Sequence, residues 1–189
     1  ILMCSFAYLD RPGMISQPYT YRGDKRPYKV KGDIVDDSKL CVAIRDELEK
    51  ADIVVSWNGI LHDRPLLNAK LALAGERPLQ VGTKYGSFDL DFMYYVRGSS
   101  MKIGGSKLDT AAKFFKLPSQ KTPLDGQVWQ KAAAGDKAAM DEIQKHCEHD
   151  VLVLRESWKY LAPLVSKVQF NLSEVYPFIH DIPSRKLVT

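Results

Sequence analysis

Asp63 is the first candidate functional residue, because the sequence places its carboxylate just beyond the end of a predicted strand. Residues 53–55 (IVV) form a short apolar, β-branched run that is typical of a buried strand, and residues 57–59 (WNG) are a turn signal. A helix follows, since Pro65 suits a first helical turn, leucines recur at helical spacing, and Gly75 ends the run. Open α/β sheets bind ligands at the carboxyl ends of their strands. The alternative is that Asp63 merely caps the helix.

His146 and Asp150 form the second candidate pair. They lie four residues apart in a predicted long helix over residues 136–162, and therefore on one face of it. That face borders an apolar stripe, where a half-buried carboxylate is costly unless a cation, a donor or a metal pairs with it. The alternative is an ordinary surface pair of small energetic value. His149 is predicted to be solvent-exposed. The stripe consists of Met140, Ile143, Cys147, Val151, Leu154, Trp158 and Leu161.

The predicted strands and helices around these side chains indicate one mixed α/β domain. Residues 1–9 have the composition of a strand, and residues 16–21 of a return strand in a hairpin. An amphipathic helix is predicted from Ser38 to Ala51, ahead of the strand at residues 53–55. Three shorter helices are expected between the two candidate stretches: one after residues 89–91, capped by Asp89 or Asp91, one over 106–117 and one within 123–134.

Composition is that of an ordinary globular chain, with 45% hydrophobic and 26% charged residues among 189. The absence of any apolar run of about 18 residues predicts no membrane span, and the first residues lack the features of a signal peptide. Three widely spaced cysteines indicate thiols in a reducing, cytoplasmic compartment, neither disulfides nor a zinc site. The net charge of +4 permits a nucleic-acid partner but does not require one.

The two candidate stretches resemble two motifs of the DEDD-type 3′–5′ exonucleases. VVSWNGILHD is similar to the second motif, in which an Asn-Gly turn, here Asn58 and Gly59, precedes a metal-binding Asp, here Asp63. HCEHD is similar to the third motif, with Asp150 at the position of the last metal-binding Asp. His146 occupies the position of a Tyr four residues before that Asp, so the spacing is that of the Tyr branch of the superfamily.

The resemblance extends through FDLDFMYYVR, SKLDTAAKFFKL and DGQVWQKAAAGDKAAMDEIQKHCEHDV to the predicted RNase H-like exonucleases of phages and bacteria. It covers residues 1–163 and leaves 164–189 as a C-terminal extension without a motif. It implies an α/β fold of the RNase H-like type, a mixed sheet flanked by helices. The implied activity is removal of nucleotides from the 3′ end of DNA or RNA with two Mg²⁺ or Mn²⁺ ions.

The resemblance also implies roles for individual residues. Asp63 and Asp150 would bind the metal ions, and His146 would orient or activate the attacking water. Asn58 would shape the turn. Trp57 would stack on a base, although a core position suits it equally. Lys107, and with it Lys102, would contact phosphate, unless these are plain solvated lysines.

One part of the family pattern is missing, since the chain contains no Asp-x-Glu, which supplies the other two carboxylates from the central strand. The pattern aligns residues 1–9 with the second strand, so the pair is expected upstream of Ile1. Without the first strand the sheet would lose its middle and expose backbone on both neighbours. One alternative is therefore an inactive module that binds nucleic acid or a protein partner. Another is a subunit whose tail, residues 164–189, docks on a larger assembly.

Overall fold

The structure is a computed structural model that describes residues 3–9, 17–20, 30–31, 34–35, 37–80, 88–97, 101–120 and 122–165. Its strands are β1 (Met3–Phe6), β2 (Gln17–Thr20), β3 (Val30–Lys31), β4 (Ile34–Val35), β5 (Ile53–Ser56) and β6 (Phe88–Asp91). Its helices are α1 (Ser38–Leu48), α2 (Asp63–Leu73), α3 (Phe92–Val96), α4 (Leu108–Phe114), α5 (Gly126–Ala133) and α6 (Lys137–Leu161), followed by a 3₁₀ turn (Ala162–Val165). Every helix in these residues is too short or too polar to cross a bilayer.

The six strands pair in twos. β1 and β2 form the predicted antiparallel hairpin, β3 and β4 form a second short one, and β5 runs parallel to β6 with Ser56 opposite Asp91. The sequence did not predict β6, because residues 88–91 carry only a brief pattern that also fits a helix cap. The structure is thus mixed α/β, as predicted. Of the C-terminal extension, only residues 164 and 165 are described, and the prediction for the remainder lies outside the described residues.

Helices cover both faces of β5. Ile53 and Val55 pack against the cluster that contains Trp158 and Leu161 of α6, whereas Val54 packs on the opposite side against α1 and α2. This alternation follows from the two-residue period of a strand. The β5 side chains are half-buried, less than the sequence predicts, because a groove follows this strand, as described below.

The long helix α6 confirms the prediction from the apolar stripe. Asp136 caps it by accepting a hydrogen bond from the Ala139 N–H group (2.7 Å), and Leu161 at its end is fully buried. The prediction for His149 is wrong, because its ring is partly buried and its Nδ1 atom is enclosed. This side chain lies closer to the packed face than its position opposite the stripe indicates.

Candidate functional site

The turn between β5 and α2 presents Asp63, and Asn58 determines its shape. Asn58 has a φ of 66°, a left-handed conformation that Asn adopts more readily than most residues. Its carbonyl accepts a hydrogen bond from the His62 N–H group (3.0 Å), and the Gly59 carbonyl accepts one from Arg64 (2.9 Å). A Cβ atom on Gly59 would lie 2.6 Å from Ser56, so the close fit of this turn requires glycine. The predicted turn is confirmed.

Asp91 anchors this turn from the neighbouring strand. Its side chain is only 2% exposed, and one oxygen accepts hydrogen bonds from the N–H groups of Asn58 (2.8 Å) and Met93 (3.0 Å). The other oxygen accepts one from Ile60 (3.2 Å). The predicted cap on the following helix is therefore Asp91. Sequence reasoning missed its larger role, which is to join the end of β6 to the loop that carries Asp63.

Asp63 is the first residue of α2, and His62 occupies the cap position without a capping side-chain bond, so the helix-cap alternative is wrong. The residue as a whole is exposed, yet its surroundings desolvate the carboxyl group. This desolvation raises the pKa of Asp63, and the nearby Asp91 carboxylate raises it further, whereas His62 lowers it. A bound cation would stabilise the charged form of this desolvated carboxyl group, so Asp63 is suited to bind one.

A third carboxylate lies beside this pair. Asp89 forms an ion pair with Arg64 (2.9 Å), and burial raises the pKa of Asp89 although Arg64 lowers it. Asp91 also raises that pKa, so Asp63, Asp89 and Asp91 form one acidic neighbourhood at the carboxyl ends of β5 and β6. Asp91 already accepts hydrogen bonds from backbone N–H groups, and Asp89 is already paired with Arg64. Asp63 is the member that best suits an added cation.

The structure brings His146 and Asp150 together on α6. His146 Nε2 lies 3.7 Å from Asp150 Oδ2, and the side chains are 12% and 27% exposed. His146 Nδ1 lies 3.0 Å from the Thr122 hydroxyl, which comes from the segment between α4 and α5. The hydrogen bond with Thr122 therefore positions the imidazole, and the other ring nitrogen faces the candidate metal ligand. The predicted shared face is confirmed.

Cys4 on β1 connects the two candidate stretches. Burial, followed by the neighbouring Cys147 and Asp63, raises the pKa of the Cys4 thiol to about 12. Cys4 also packs against the cluster that contains Leu67 and Leu71 of α2, and β1 contacts α6. This strand therefore contacts both elements that carry the candidate residues.

A groove of about 290 Å³ lies beside these elements, and we call it the β1–β5 groove. It runs between β1 and β5 over α6, and Val151, which follows Asp150, contributes to its wall. Its lining consists of residues 5–9, residues 47 and 48, residues 50–55, and Val151, Leu154, Arg155 and Trp158.

Trp57 and Lys107 lie close together, on the α4 side of the turn. The Trp57 indole N–H donates a hydrogen bond to the carbonyl of Ser106 (2.9 Å), the residue before Lys107, and the ring packs against two core clusters. This placement fits the core alternative for Trp57. Lys107 is exposed at the start of α4, and Lys102 is exposed where its backbone pairs with Arg97.

The residues present supply only part of a metal centre. Within the described residues, no group of three or more His, Cys, Asp or Glu side chains is arranged to hold an ion. Asp63 and Asp150 offer the hard oxygen donors that Mg²⁺ and Mn²⁺ prefer, but a pair of ions needs more of them. These carboxylate oxygens are of the kind that Mg²⁺ and Mn²⁺ bind, but there are too few of them to hold a pair of ions.

A family model for the RNase H superfamily matches residues 19–161, which is more than half of the chain. No curated protein and no solved structure gives a significant match. The RNase H-like part of the predicted resemblance is thereby confirmed, whereas the DEDD exonuclease subtype stays a prediction.

Proposed function

Because the chain belongs to the RNase H superfamily, we propose that it is a nuclease of the DEDD type that removes nucleotides from the 3′ end of DNA or RNA. The observation that supports this proposal is that β1 contacts both α2 and α6, the two elements that carry Asp63 and Asp150. Asp63 and Cys147 both raise the pKa of the Cys4 thiol on this strand, although the two candidate stretches are distant in sequence. A metal-dependent nuclease would need the two carboxylates to meet at the carboxyl ends of the strands.

Asp63 and Asp150 would hold two Mg²⁺ or Mn²⁺ ions together with two further carboxylates. When bound, the ions supply charge that activates water and stabilises the leaving 3′ oxygen. The two further carboxylates would come from an Asp-x-Glu upstream of Ile1, since the present chain has none. The raised pKa of Asp63 supports its part, because an added cation would relieve the cost of its desolvated charge.

His146 would orient the attacking water or accept its proton. The bond to Thr122 fixes one ring nitrogen, so the other, Nε2, is directed toward Asp150 and the water that a neighbouring ion would hold. In this chain the imidazole takes the role that a Tyr has in the related motif. The side chain is mostly enclosed, which limits the number of orientations available to it.

The nucleic acid would approach past the turn and the start of α4. Lys107 is exposed there and would contact a phosphate, while Asn58 maintains the turn that carries Asp63. Trp57 would support this surface from beneath. Its indole bond to Ser106 and its core contacts suit that role better than stacking on a base.

A second candidate function is a binding module without metal chemistry. The observation in its favour is that the described residues contain no group of three metal-binding side chains. Such a module would hold nucleic acid or a protein partner, and residues 164–189 would be a place for the partner to dock. The Asp-x-Glu decides between the two functions, because only the nuclease requires it.

The proposal is tested with the chain extended upstream of Ile1, using a 5′-labelled single strand and Mn²⁺. We expect stepwise shortening from the 3′ end. Asp63→Ala and Asp150→Ala should each reduce the rate by more than the roughly 10–100-fold that losing an outer-sphere partner costs. Asp109→Ala is the matched control, since Asp109 only pairs with Lys113 on the surface. Equal cleavage by all four proteins would refute the site, and binding without cleavage would favour the module.

A further inference from the structure

The connection between α4 and α5 is hydrogen-bonded to α6 at two separate places. At the first, Glu156 accepts two hydrogen bonds from Ser119, one from its backbone N–H group (3.0 Å) and one from its hydroxyl (2.8 Å). At the second, the Thr122 hydroxyl lies 3.0 Å from Nδ1 of His146. Hydrogen bonds to a charged acceptor are stronger than those between neutral groups. The contact with Glu156 is therefore the stronger attachment.

The turn that carries Ser119 is held in place independently of the candidate site. Leu117 is buried in the same core cluster as Val153 of α6. The Gln120 side chain closes the turn by donating a hydrogen bond to the Leu117 carbonyl (2.6 Å). Val153 and Glu156 are three residues apart on α6 and therefore neighbours on its surface. Apolar packing and the carboxylate thus bind this turn to the same part of the helix.

The chain between the two contacts is short compared with their separation along α6. His146 and Glu156 are ten residues apart, which corresponds to about 15 Å along a helix axis. Ser119 and Thr122 are only three residues apart, so at most about 11 Å separates their Cα atoms. The side chains must span the difference. The position of Ser119 therefore limits the positions that Thr122 can reach.

We propose that Glu156 is a positioning residue for the candidate site, because it holds the connection where Thr122 meets His146. With Thr122 in place, Nδ1 of the imidazole is occupied and Nε2 faces Asp150 at 3.7 Å. Without the contact between Glu156 and Ser119, Thr122 would leave the ring and the imidazole would turn among several orientations. The kinetic consequence rests on the proposed function, whereas the effect on the ring requires neither metal nor substrate.

Nitrogen-15 NMR of the imidazole rings in the full chain tests the effect on His146, at about pH 8 where an ordinary imidazole is neutral. Thr122→Val removes the hydroxyl and should move the His146 ring signals toward those of a histidine in an unstructured peptide. Glu156→Ala should move them in the same direction, by at least about half as much if the contact is coupled as proposed.

Two further variants show whether the carboxylate contact itself is responsible. Glu156→Gln should keep the wild-type ring signals, because its amide can accept a hydrogen bond from the Ser119 N–H group and donate one to the hydroxyl. Glu148→Ala is the matched control and should leave the signals unchanged. Glu148 lies on the same helix and closer to His146, but it bonds to Gln144 (2.8 Å).

A double variant distinguishes an effect through Thr122 from a general loss of packing. If Glu156 acts through Thr122, adding Glu156→Ala to Thr122→Val should move the ring signals no further than Thr122→Val alone. Ser119→Ala replaces Glu156→Ala if that protein does not fold. It removes one hydroxyl and should cause a smaller displacement in the same direction. Unchanged ring signals in the folded variant, or additive displacements in the double variant, would overturn the inference.

Turnover by the chain extended upstream of Ile1 measures the kinetic consequence. Thr122→Val and Glu156→Ala should each lower kcat by about 10- to 100-fold, the order of loss that a misplacement of about 1 Å causes. KM should stay within about twofold of the wild-type value, and Glu156→Gln should restore kcat. A wild-type chain that does not cleave would contradict the proposed function, and the ring signals would still decide this inference. Unchanged kcat in a cleaving Glu156→Ala protein would overturn it.

Discussion

Replacing Asp91 by Ala should destabilise the protein more than any change at an exposed helix cap. The side chain accepts three backbone N–H groups, two at the turn before Asp63 and one at the start of α3. Each hydrogen bond to a charged acceptor contributes about 1.5–3 kcal/mol, and the alanine would leave those donors enclosed. The contributions overlap, so we expect the free energy of unfolding to fall by about 3–5 kcal/mol.

Asp125 provides the matched control. It also caps a helix, α5, but it is exposed and accepts a single bond from Gln127 (3.1 Å). Asp125→Ala should therefore cost about 1 kcal/mol. For a chain of this length, 1 kcal/mol corresponds to about 2–4 °C in Tm, so Asp91→Ala should lower the Tm by roughly 10 °C and Asp125→Ala by a few degrees.

Urea unfolding followed by circular dichroism measures both variants, and Asp91→Asn refines the result. The asparagine keeps one acceptor oxygen but turns an amide toward the Ile60 N–H group, so its loss of stability should be intermediate. If Asp91→Ala costs no more than Asp125→Ala, Asp91 does not anchor the turn and is available for another role, such as binding a cation.

Three further predictions concern the site. His146→Ala should slow turnover far more than it weakens Mn²⁺ binding, as single-turnover rates and calorimetry would show, and an unchanged rate would remove its proposed role. Asp63→Asn should raise the Tm at pH 7. Folding raises the pKa of Asp63, so the folded state loses stability as the pH rises from the ordinary pKa of this carboxyl group through its raised pKa. The gain from Asp63→Asn should therefore vanish at lower pH. A gain at pH 3 as large as at pH 7 would contradict this expectation. Gly59→Ala should cost about 1–3 kcal/mol in urea unfolding because its Cβ would meet Ser56 at 2.6 Å, whereas Gly126→Ala, with open space, should cost nothing.

Local patterns in the sequence were sufficient to predict the helices and the first hairpin. The stripe from Met140 to Leu161 predicted α6 almost to the residue, because a long amphipathic helix repeats its signal many times. The strand at residues 53–56, its turn and α2 followed from β-branched residues, Asn-Gly and Pro in sequence. Each of these signals is confined to a few neighbouring residues.

The missed features depend on contacts between distant segments. Four residues are too few to reveal β6 by periodicity, and its partner lies more than thirty positions earlier. The role of Asp91 depends on the N–H groups of Asn58 and Ile60, which no spacing rule connects to it. His149 was assigned to solvent from its angle on an isolated helix. Packing from other elements encloses it instead.

The sequence predicted only part of the candidate site. The spacing of His146 and Asp150 predicted that they share a helix face, and the resemblance selected Asp63, but no local pattern shows that β1 contacts both α2 and α6. No pattern in the sequence predicts the hydrogen bond between Thr122 and His146.

Paramagnetic broadening by Mn²⁺ tests the central claim most directly, because it reports every residue near one bound ion. We predict that low Mn²⁺ broadens the backbone signals around Asp63 and those around Asp150 together, and that Asp63→Asn or Asp150→Asn weakens both sets at once. Asp109→Asn should change neither. Broadening confined to one of the two stretches, or unchanged in both variants, would contradict the account.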